Sequence, residues 1–293
     1  MLKKMTFLPA KIYVTYMYEY FTGKKLNLKD PKEFNEKIQW YKVFYQPDIL
    51  TDLVDKYTVR EYVKKKIGEQ YLNELFGVYD SVSEVDYEKL PNEFIMKATH
   101  GCSYNLIVHD KSKINKFKTR LLFHKWLNTS QYYRTGKEWA YKNIKKRLIA
   151  EKLLREEGQP SLIDYKFYCF NGKAKFIALH LDRAQNHKKV FYDTSFNKLP
   201  YTNTTREKTV GDDLEKPSTL SEMVILSEKL ADKFPFVRVD FYSIKGKIVF
   251  GEMTFYPGDG RNDFKPDEYN RIIGDYLTLP VIPKGKKRIT EYN

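Results

Sequence analysis

Cysteine is nearly missing from this chain: Cys102 and Cys169 are the only two. They supply no disulfide framework and none of the paired spacings of a zinc site. The five histidines are scattered, without an HExxH pair. A metal, where one is needed, is therefore expected on carboxylate oxygen, which suits Mg2+ better than zinc. No stretch reaches the roughly 18 consecutive apolar residues of a spanning helix. The Walker signature GxxxxGK[ST] is missing too, as are internal repeats, low-complexity linkers and recognisable RNA- or DNA-binding motifs. No serine or cysteine nucleophile is evident.

What is present is core material and positive charge. The 293 residues fit one large domain or two modest ones, on a prior of roughly 100–200 residues per domain. A content of 42% hydrophobic and 16% aromatic residues can build a core, so global disorder is not expected. The formal net charge of +14 attracts polyanions without choosing among nucleotides, nucleic acid, acidic glycans and anionic lipid. At the start, Lys3 and Lys4 imitate a signal peptide, but Lys11 and Glu19 interrupt the apolar run and no small-residue cleavage site follows. Phe7, Tyr13, Tyr16, Met17 and Tyr20 read as one aromatic helix face, packed on the body or resting on a membrane surface. The basic cluster from Lys284 to Arg288 reads as a frayed tail.

Periodicity predicts helices over 33–44 and 48–66, the second ended by Gly68. Short strands follow over 93–97 and 106–108, then helices over 116–126 and 137–146, a strand over 147–154 and a loop at 157–160. Strands over 164–170 and 175–181 flank Asn171-Gly172, a strong hairpin-turn dipeptide. A helix over 218–233 precedes a second hairpin, 236–242 and 247–254. Hairpins gathered late in the chain point to an α+β fold, not a doubly wound parallel sheet.

Four segments could carry chemistry. The most informative is the late hairpin, with Arg238, Asp240, Glu252 and Thr254 all at even positions. Side chains alternate along a strand. An odd-length loop, Ile244-Lys245-Gly246, sends all four to one face; a two-residue Lys245-Gly246 loop splits the carboxylates across the sheet. Two converging carboxylates raise each other's pKa unless a cation sits between them; the alternative is an ordinary Arg238–Asp240 surface pair. The second segment is Lys97 followed by Ala98-Thr99-His100-Gly101-Cys102-Ser103, a point cation ending a strand before small, hydroxylated residues that can meet phosphate. A plain strand-to-loop turn is the alternative. The third, Ile149-Ala150-Glu151-Lys152, is either a connector offering backbone groups to an adenine edge or a surface Glu-Lys pair. In the fourth, Lys56 and Arg60 lie four apart on one predicted helix, able to reach phosphate together or to stand solvated.

The order of these pieces says more than any one of them. With DPKEFNEKIQWYK, DKYTVREYVKKKIG, LPNEFIMKATHG, IAEKLL, DYKFYCFNGK, RVDFY and GEMTFYPGDG, the chain resembles the TupA-like ATP-grasp proteins of bacterial cell-surface polysaccharide loci over about residues 25–280. The first of these segments has no chemical role derivable from its residues. The resemblance implies an ATP-grasp fold in which two α+β lobes sandwich the nucleotide. The expected divisions are a helical portion at 1–90, lobes at 91–150 and 151–283, and a basic tail at 284–293. It implies ATP and Mg2+ as cofactors. Lys97 would contact phosphates under the loop at His100 and Gly101, and Lys56 or Arg60 would be the first ATP-binding base. Glu151 and Lys152 would mark the adenine connector, Asp164 the ribose side, and Lys166 phosphate or acceptor. Asp240 and Glu252 match the Mg2+ carboxylates, Thr254 replaces a customary Asn ligand, and Arg238 would steady an oxyanion.

The implied activity is that of a carboxylate–amine ligase working through an acyl phosphate. Its implied partners are an acidic glycan or glycan precursor and an amine or amino-acid donor, with no nucleic acid. The implied place is the cytoplasm, at the inner face of the membrane if the N-terminal segment touches lipid. The alternatives are a kinase or glycosyltransferase acting on surface polysaccharide, and a non-catalytic basic module binding nucleic acid or anionic membrane. His180, Arg183 and Arg261 stand near the site residues in the chain and are candidates for acceptor contacts.

Overall fold

A computed structural model describes residues 7–156, 161–182, 186–203 and 214–292. The predicted loop at 157–160, Lys3, Lys4 and Arg183 lie outside them. In chain order the elements are α1 (Ala10–Thr22), α2 (Phe34–Phe44), α3 (Ile49–Val54), α4 (Val59–Lys66), β1 (Leu75–Tyr79), β2 (Phe94–Ala98), β3 (Asn105–Val108), α5 (Lys116–Asn128), α6 (Gln131–Arg134) and β4 (Leu148–Glu151). They continue with β5 (Asp164–Phe170), β6 (Lys173–Leu181), β7 (Lys188–Asp193), α7 (Leu220–Ala231), β8 (Phe236–Ile244), β9 (Lys247–Thr254) and α8 (Glu268–Tyr276). The chain forms two compact units, Ile49–Leu154 and Met1–Asp48 with Arg155–Asn293.

The unit Ile49–Leu154 is built on an antiparallel sheet in the order β1-β4-β2-β3. Alternation sorts its side chains. Phe94, Met96, Ala98, Leu148 and Ala150 join Phe123 and Trp126 of α5 in the core. Lys97 and Glu151, at odd positions, take the other face. The expected division near residue 90 falls inside this unit, because β1 pairs with β4 and brings the preceding helices with it. The helix predicted over 48–66 is broken: the Asp55 carboxylate accepts from the backbone N–H of Tyr57 (2.7 Å) and Thr58 (3.2 Å), and so competes with the helical ladder. The helix predicted over 137–146 is reduced to one 3-10 turn, Trp139–Tyr141. Lys137 there adopts a left-handed φ of 58°, from which an α-helix does not propagate. His100 is fully buried, and its Nε2 lies 3.0 Å from the Trp126 carbonyl. Burial is the main force lowering its pKa, to about 4.

The other unit carries a five-stranded antiparallel sheet, β7-β6-β5-β8-β9. One face packs on α7 through Leu220, Met223, Leu226 and Leu230, all buried, with the Cys169 thiol against the Ser227 carbonyl. The opposite face is aromatic at one end. There Tyr168 stacks on Phe176 at 4.5 Å, and Phe34 of α2 packs edge-on against Phe170, Phe236 and Phe264. Helix α2 starts with a capping box between Glu33 and Glu36, which fixes its entry. The C-terminal residues are tied down rather than frayed. Ile289 bridges to Tyr45 and exchanges backbone hydrogen bonds of 2.7 Å with Phe44 and Gln46, and Tyr292 stacks on Phe234. The predicted single aromatic face of α1 is divided, since four-residue spacing groups Tyr13 with Met17 inside and Tyr16 with Tyr20 outside.

The structure gives the DPKEFNEKIQWYK stretch a task. Lys42, 1% exposed, donates to the Asp259 carbonyl (2.6 Å), the Asp259 carboxylate and Gln39 Oε1. Gln39 Nε2 donates to the carbonyls of Asp259 (2.9 Å) and Gly260 (2.6 Å). Helix α2 thereby clamps a loop in which Gly258, Asp259 and Gly260 are all left-handed.

Two expectations follow. A Cβ on Gly260 would lie 2.7 Å from Ile38 Cγ2 and from Gln39 Nε2, at φ +61°. Gly260→Ala should therefore lose on the order of 1–3 kcal/mol in urea unfolding; an unchanged midpoint would contradict the clamp. For His100, the unfolded chain accepts a proton that the folded chain refuses. Stability should fall with pH from about 6.5 towards about 4, by on the order of 1 kcal/mol per unit. Urea midpoints measured across that window should fall more steeply for the wild type than for His100→Gln, and equal slopes would contradict a neutral buried imidazole.

Candidate functional site

Strands β8 and β9 join through the two-residue Lys245-Gly246 turn, which taken alone would split the carboxylates. The register corrects this. Ile244 to Phe241 pair with Lys247 to Phe250, after which the pairing shifts and Asp240 meets Glu252. Gly251 is the extra residue of a β-bulge. A Cβ there would lie 3.1 Å from the Asp240 carbonyl, so the close approach suits glycine. Beyond the bulge Arg238 pairs with Thr254, and all four side chains share a face. Of the two loops considered, the two-residue one forms, and the extra residue that an odd-length loop would have supplied sits within β9.

Strand β5 adds to the same face, with Lys166 opposite Asp240. Asp164, Lys166 and Asp240 are all buried. Lys166 Nζ bridges the two carboxylates, at 3.3 Å from Asp164 and in a short contact with Asp240. Arg238 donates from Nε and Nη2 to the two Asp240 oxygens, each at 2.7 Å, and from Nη2 to Glu252 Oε1 (3.1 Å) and Thr254 Oγ1 (3.0 Å). Burial is the largest single influence and opposes the guanidinium charge, but Asp240, Tyr168 and Glu252 together outweigh it and hold the Arg238 pKa above its ordinary value. Breaking such a buried cluster by removing one member leaves uncompensated charge and is strongly destabilising.

The row continues along the sheet. His180 pairs with Asp164 and with Lys189 on neighbouring strands, and its Nδ1 lies 3.1 Å from His187 Nε2. Buried Lys189 donates to Asn203 Oδ1. Lys189 and Asn203 went unrecognised in the sequence, although the Val190-Phe191-Tyr192 run of β7 is a legible strand signal. Arg261 is held by an ion pair with Asp259 and lies 4.2 Å over the Phe21 ring.

In the unit Ile49–Leu154 the predicted residues form a different arrangement. Glu151 accepts Lys97 Nζ at 2.7 Å on one oxygen and Arg60 Nη1 at 3.4 Å on the other. Lys97 remains a quarter exposed while Glu151 is buried. Arg60 also donates to the Asn73 carbonyl at 2.9 Å. Lys56 lies in the break between α3 and α4, and its Nζ donates to the Gly101 carbonyl at 2.6 Å. Lys56 and Arg60 thus share no helix face; one steadies the loop after β2 and the other the Glu151 pair. Gly101 is buried, and a Cβ there would lie 2.8 Å from Tyr104 and Gln131. The His100 imidazole belongs to the core and is not turned to a ligand, whereas Cys102 and Ser103 of the same loop are exposed. Lys152 N–H donates to the Glu74 carbonyl, and its own carbonyl accepts from Asn73 Nδ2, both at 2.9 Å.

The donor set of the β8–β9 face fits Mg2+. Asp240, Glu252 and Thr254 are hard oxygen donors, with Lys166 and Arg238 beside them committed to Asp240. Among the described residues no three His, Cys, Asp or Glu side chains close around one point. A cation here would therefore complete its shell with oxygens from water or phosphate, which is usual for Mg2+.

A family model described as TupA-like ATPgrasp matches residues 36–278. No curated protein sequence matches the chain. Solved structures with a similar fold include D-alanine–D-alanine ligase from Bacillus anthracis complexed with ATP, at 14% identity and a TM-score of 0.40, covering 71% of this chain and 55% of that one. Another is N5-carboxyaminoimidazole synthetase from Staphylococcus aureus complexed with ADP, at 13% identity and a TM-score of 0.45, covering 78% and 53%. A RimK domain ATP-grasp protein from Sphaerobacter thermophilus shares 10% identity at a TM-score of 0.42, covering 78% and 69%. The chain spans about half the length of the first of these matches. With the family model matching most of its length, the chain belongs to the TupA-like ATP-grasp family and has the ATP-grasp fold.

Proposed function

We propose that this protein is an ATP- and Mg2+-dependent ligase that joins a carboxylate to an amine. The observation that carries the reading is the face shared by Asp240, Glu252, Arg238 and Thr254, assembled by the bulge at Gly251. Family membership supports the use of ATP.

In the proposed reaction a substrate carboxylate oxygen attacks the γ-phosphorus of ATP, and the bond to the β,γ-bridging oxygen breaks. The products are an acyl phosphate and ADP. The amine nitrogen then attacks the acyl carbon, loses a proton, and inorganic phosphate departs with the former carboxylate oxygen. Phosphoryl transfer asks the protein for positioning and charge neutralisation rather than covalent help. Asp240 and Glu252 would hold Mg2+, with Thr254 as the third oxygen donor. The ion supplies charge neutralisation for the phosphates. Lys97, anchored by Glu151 yet still exposed, is assigned to phosphate contact. Arg238, fixed by Asp240, would stabilise negative charge developing on the carbonyl oxygen. Lys166 bridges Asp164 and Asp240 and so holds the two carboxylates close together on this face.

An acidic glycan or its precursor as the carboxylate, and an amino acid or peptide as the amine, agree with the family resemblance and with the +14 charge. The cytoplasm, where ATP is available, is the proposed place of reaction. No helix among the described residues is long and apolar enough to cross a membrane.

Thermal unfolding with ATP, ADP and nucleotide sugars, each with and without Mg2+, tests the reading, because a ligand of the folded state raises apparent stability. ATP with Mg2+ should raise the midpoint, and Lys97→Ala should lose at least about tenfold in nucleotide affinity at a temperature where the variant is still folded. ADP release should rise when carboxylate and amine are supplied together. Stabilisation by nucleotide sugars alone, or full nucleotide affinity in Lys97→Ala, would count against the assignment.

A further inference from the structure

The described residues expose fourteen large hydrophobic side chains, and five of them, Phe7, Ile12, Tyr16, Tyr20 and Phe21, lie within one short segment. The proposed ligase chemistry uses none of them. Ile12, Tyr16 and Tyr20 recur every four residues and so form one stripe along α1. They are 44%, 54% and 68% exposed, while Phe7 beside the helix start is 80% exposed. The opposite side of α1 is fully engaged: Tyr13, Val14, Met17 and Tyr18 are buried. The helix is therefore fixed on its unit and holds its outer stripe in a set direction.

The charge around the stripe selects its partner. Lys11, Lys25 and Lys29 are exposed along α1 and the segment that leaves it. The nearby acids are already occupied. Glu19 accepts from the Leu26 N–H, Asp30 pairs with Lys32 at 2.5 Å, and Glu33, Asp267 and Asp263 share Lys24 at 3.1, 3.1 and 3.2 Å. Phe21 carries the Arg261 guanidinium, itself paired with Asp259, 4.2 Å above its ring. Tyrosine suits a boundary with water on one side and hydrocarbon on the other, because its ring is apolar and its hydroxyl is not. At 13 residues α1 is only about 20 Å long, too short to cross a hydrocarbon layer of about 30 Å. Its geometry is that of a helix lying along a surface, with aromatic rings inward and lysines level with the headgroups.

We infer that α1 is a docking element for an anionic lipid surface. Bound there, the protein would meet lipid-linked or membrane-proximal substrates by diffusion in two dimensions. The stripe's small area and its lysines favour a reversible contact that weakens with salt.

Sedimentation of the full chain with sucrose-loaded vesicles tests this. One set is made of phosphatidylcholine alone and the other of phosphatidylcholine mixed with phosphatidylglycerol. The chain should sediment with the phosphatidylglycerol vesicles at low salt and much less with phosphatidylcholine alone. Ile12→Ser with Tyr16→Ser and Tyr20→Ser should reduce that partitioning by roughly tenfold or more. Lys11→Gln with Lys25→Gln should reduce it only on the anionic vesicles. The thermal midpoints of these variants should stay at the wild-type value, because every changed side chain is exposed. Failure to sediment, or equal partitioning of the wild type and the stripe variant, would overturn the inference. So would a dimer of the wild type in light scattering that the stripe variant abolishes, since the stripe would then belong to a second copy.

Discussion

The direction of two side chains depends on one extra residue in a ladder. Strands β8 and β9 leave a two-residue turn in a register that would pair Asp240 with Gly251, and Gly251 steps out of that register so that Glu252 takes its place. A slip of one residue turns every following side chain to the opposite face of a sheet. Here the slip is built in, and it moves Glu252 and Thr254 to the face of Asp240 and Arg238 while Met253 enters the core. The carboxylates gain a common position because a glycine tolerates the close approach of the Asp240 carbonyl. The chemistry proposed for the protein rests on this backbone irregularity.

Electrostatics holds the arrangement once the backbone has made it. Asp240 lies between Arg238 and Lys166, and Lys166 also reaches Asp164. Such a network gives little net stability, because removing the charges from water offsets their attraction. Its effect is orientation: each carboxylate has one favoured rotamer, and each cation is fixed to a carboxylate. The Lys97–Glu151–Arg60 set in the unit Ile49–Leu154 follows the same rule, with a buried acid steadying a partly exposed amine. A lysine held in this way loses less entropy on meeting a phosphate than one free in solvent.

Much of this was legible in the chain. Asn171-Gly172 gave the first late hairpin, and the even spacing of Arg238, Asp240, Glu252 and Thr254 pointed to a shared face. The route to that face was not legible, since a β-bulge depends on packing between strands and leaves only a glycine as its mark. Lys56 and Arg60 were placed on one helix because periodicity ran through residue 55; the Asp55 side chain, taking two backbone N–H groups, decided otherwise. His100 looked like part of a phosphate loop, but its imidazole is buried against the Trp126 carbonyl, a contact made by residues 26 apart in sequence. The DPKEFNEKIQWYK stretch was distinctive without an evident purpose. That purpose needs Asp259, more than 200 residues later, to be visible.

The central claim, that Asp240 and Glu252 together hold a divalent ion with a nucleotide, can be measured with Mn2+ in place of Mg2+. Electron paramagnetic resonance of Mn2+ titrated with protein and ATP reports bound ion directly, without any knowledge of the acceptor. The wild type should diminish the free-ion signal beyond what ATP alone achieves, and Asp240→Asn with Glu252→Gln should return it to the ATP-only level at a temperature where circular dichroism shows the destabilised variant still folded. Undiminished binding of Mn2+ by that variant would contradict the account.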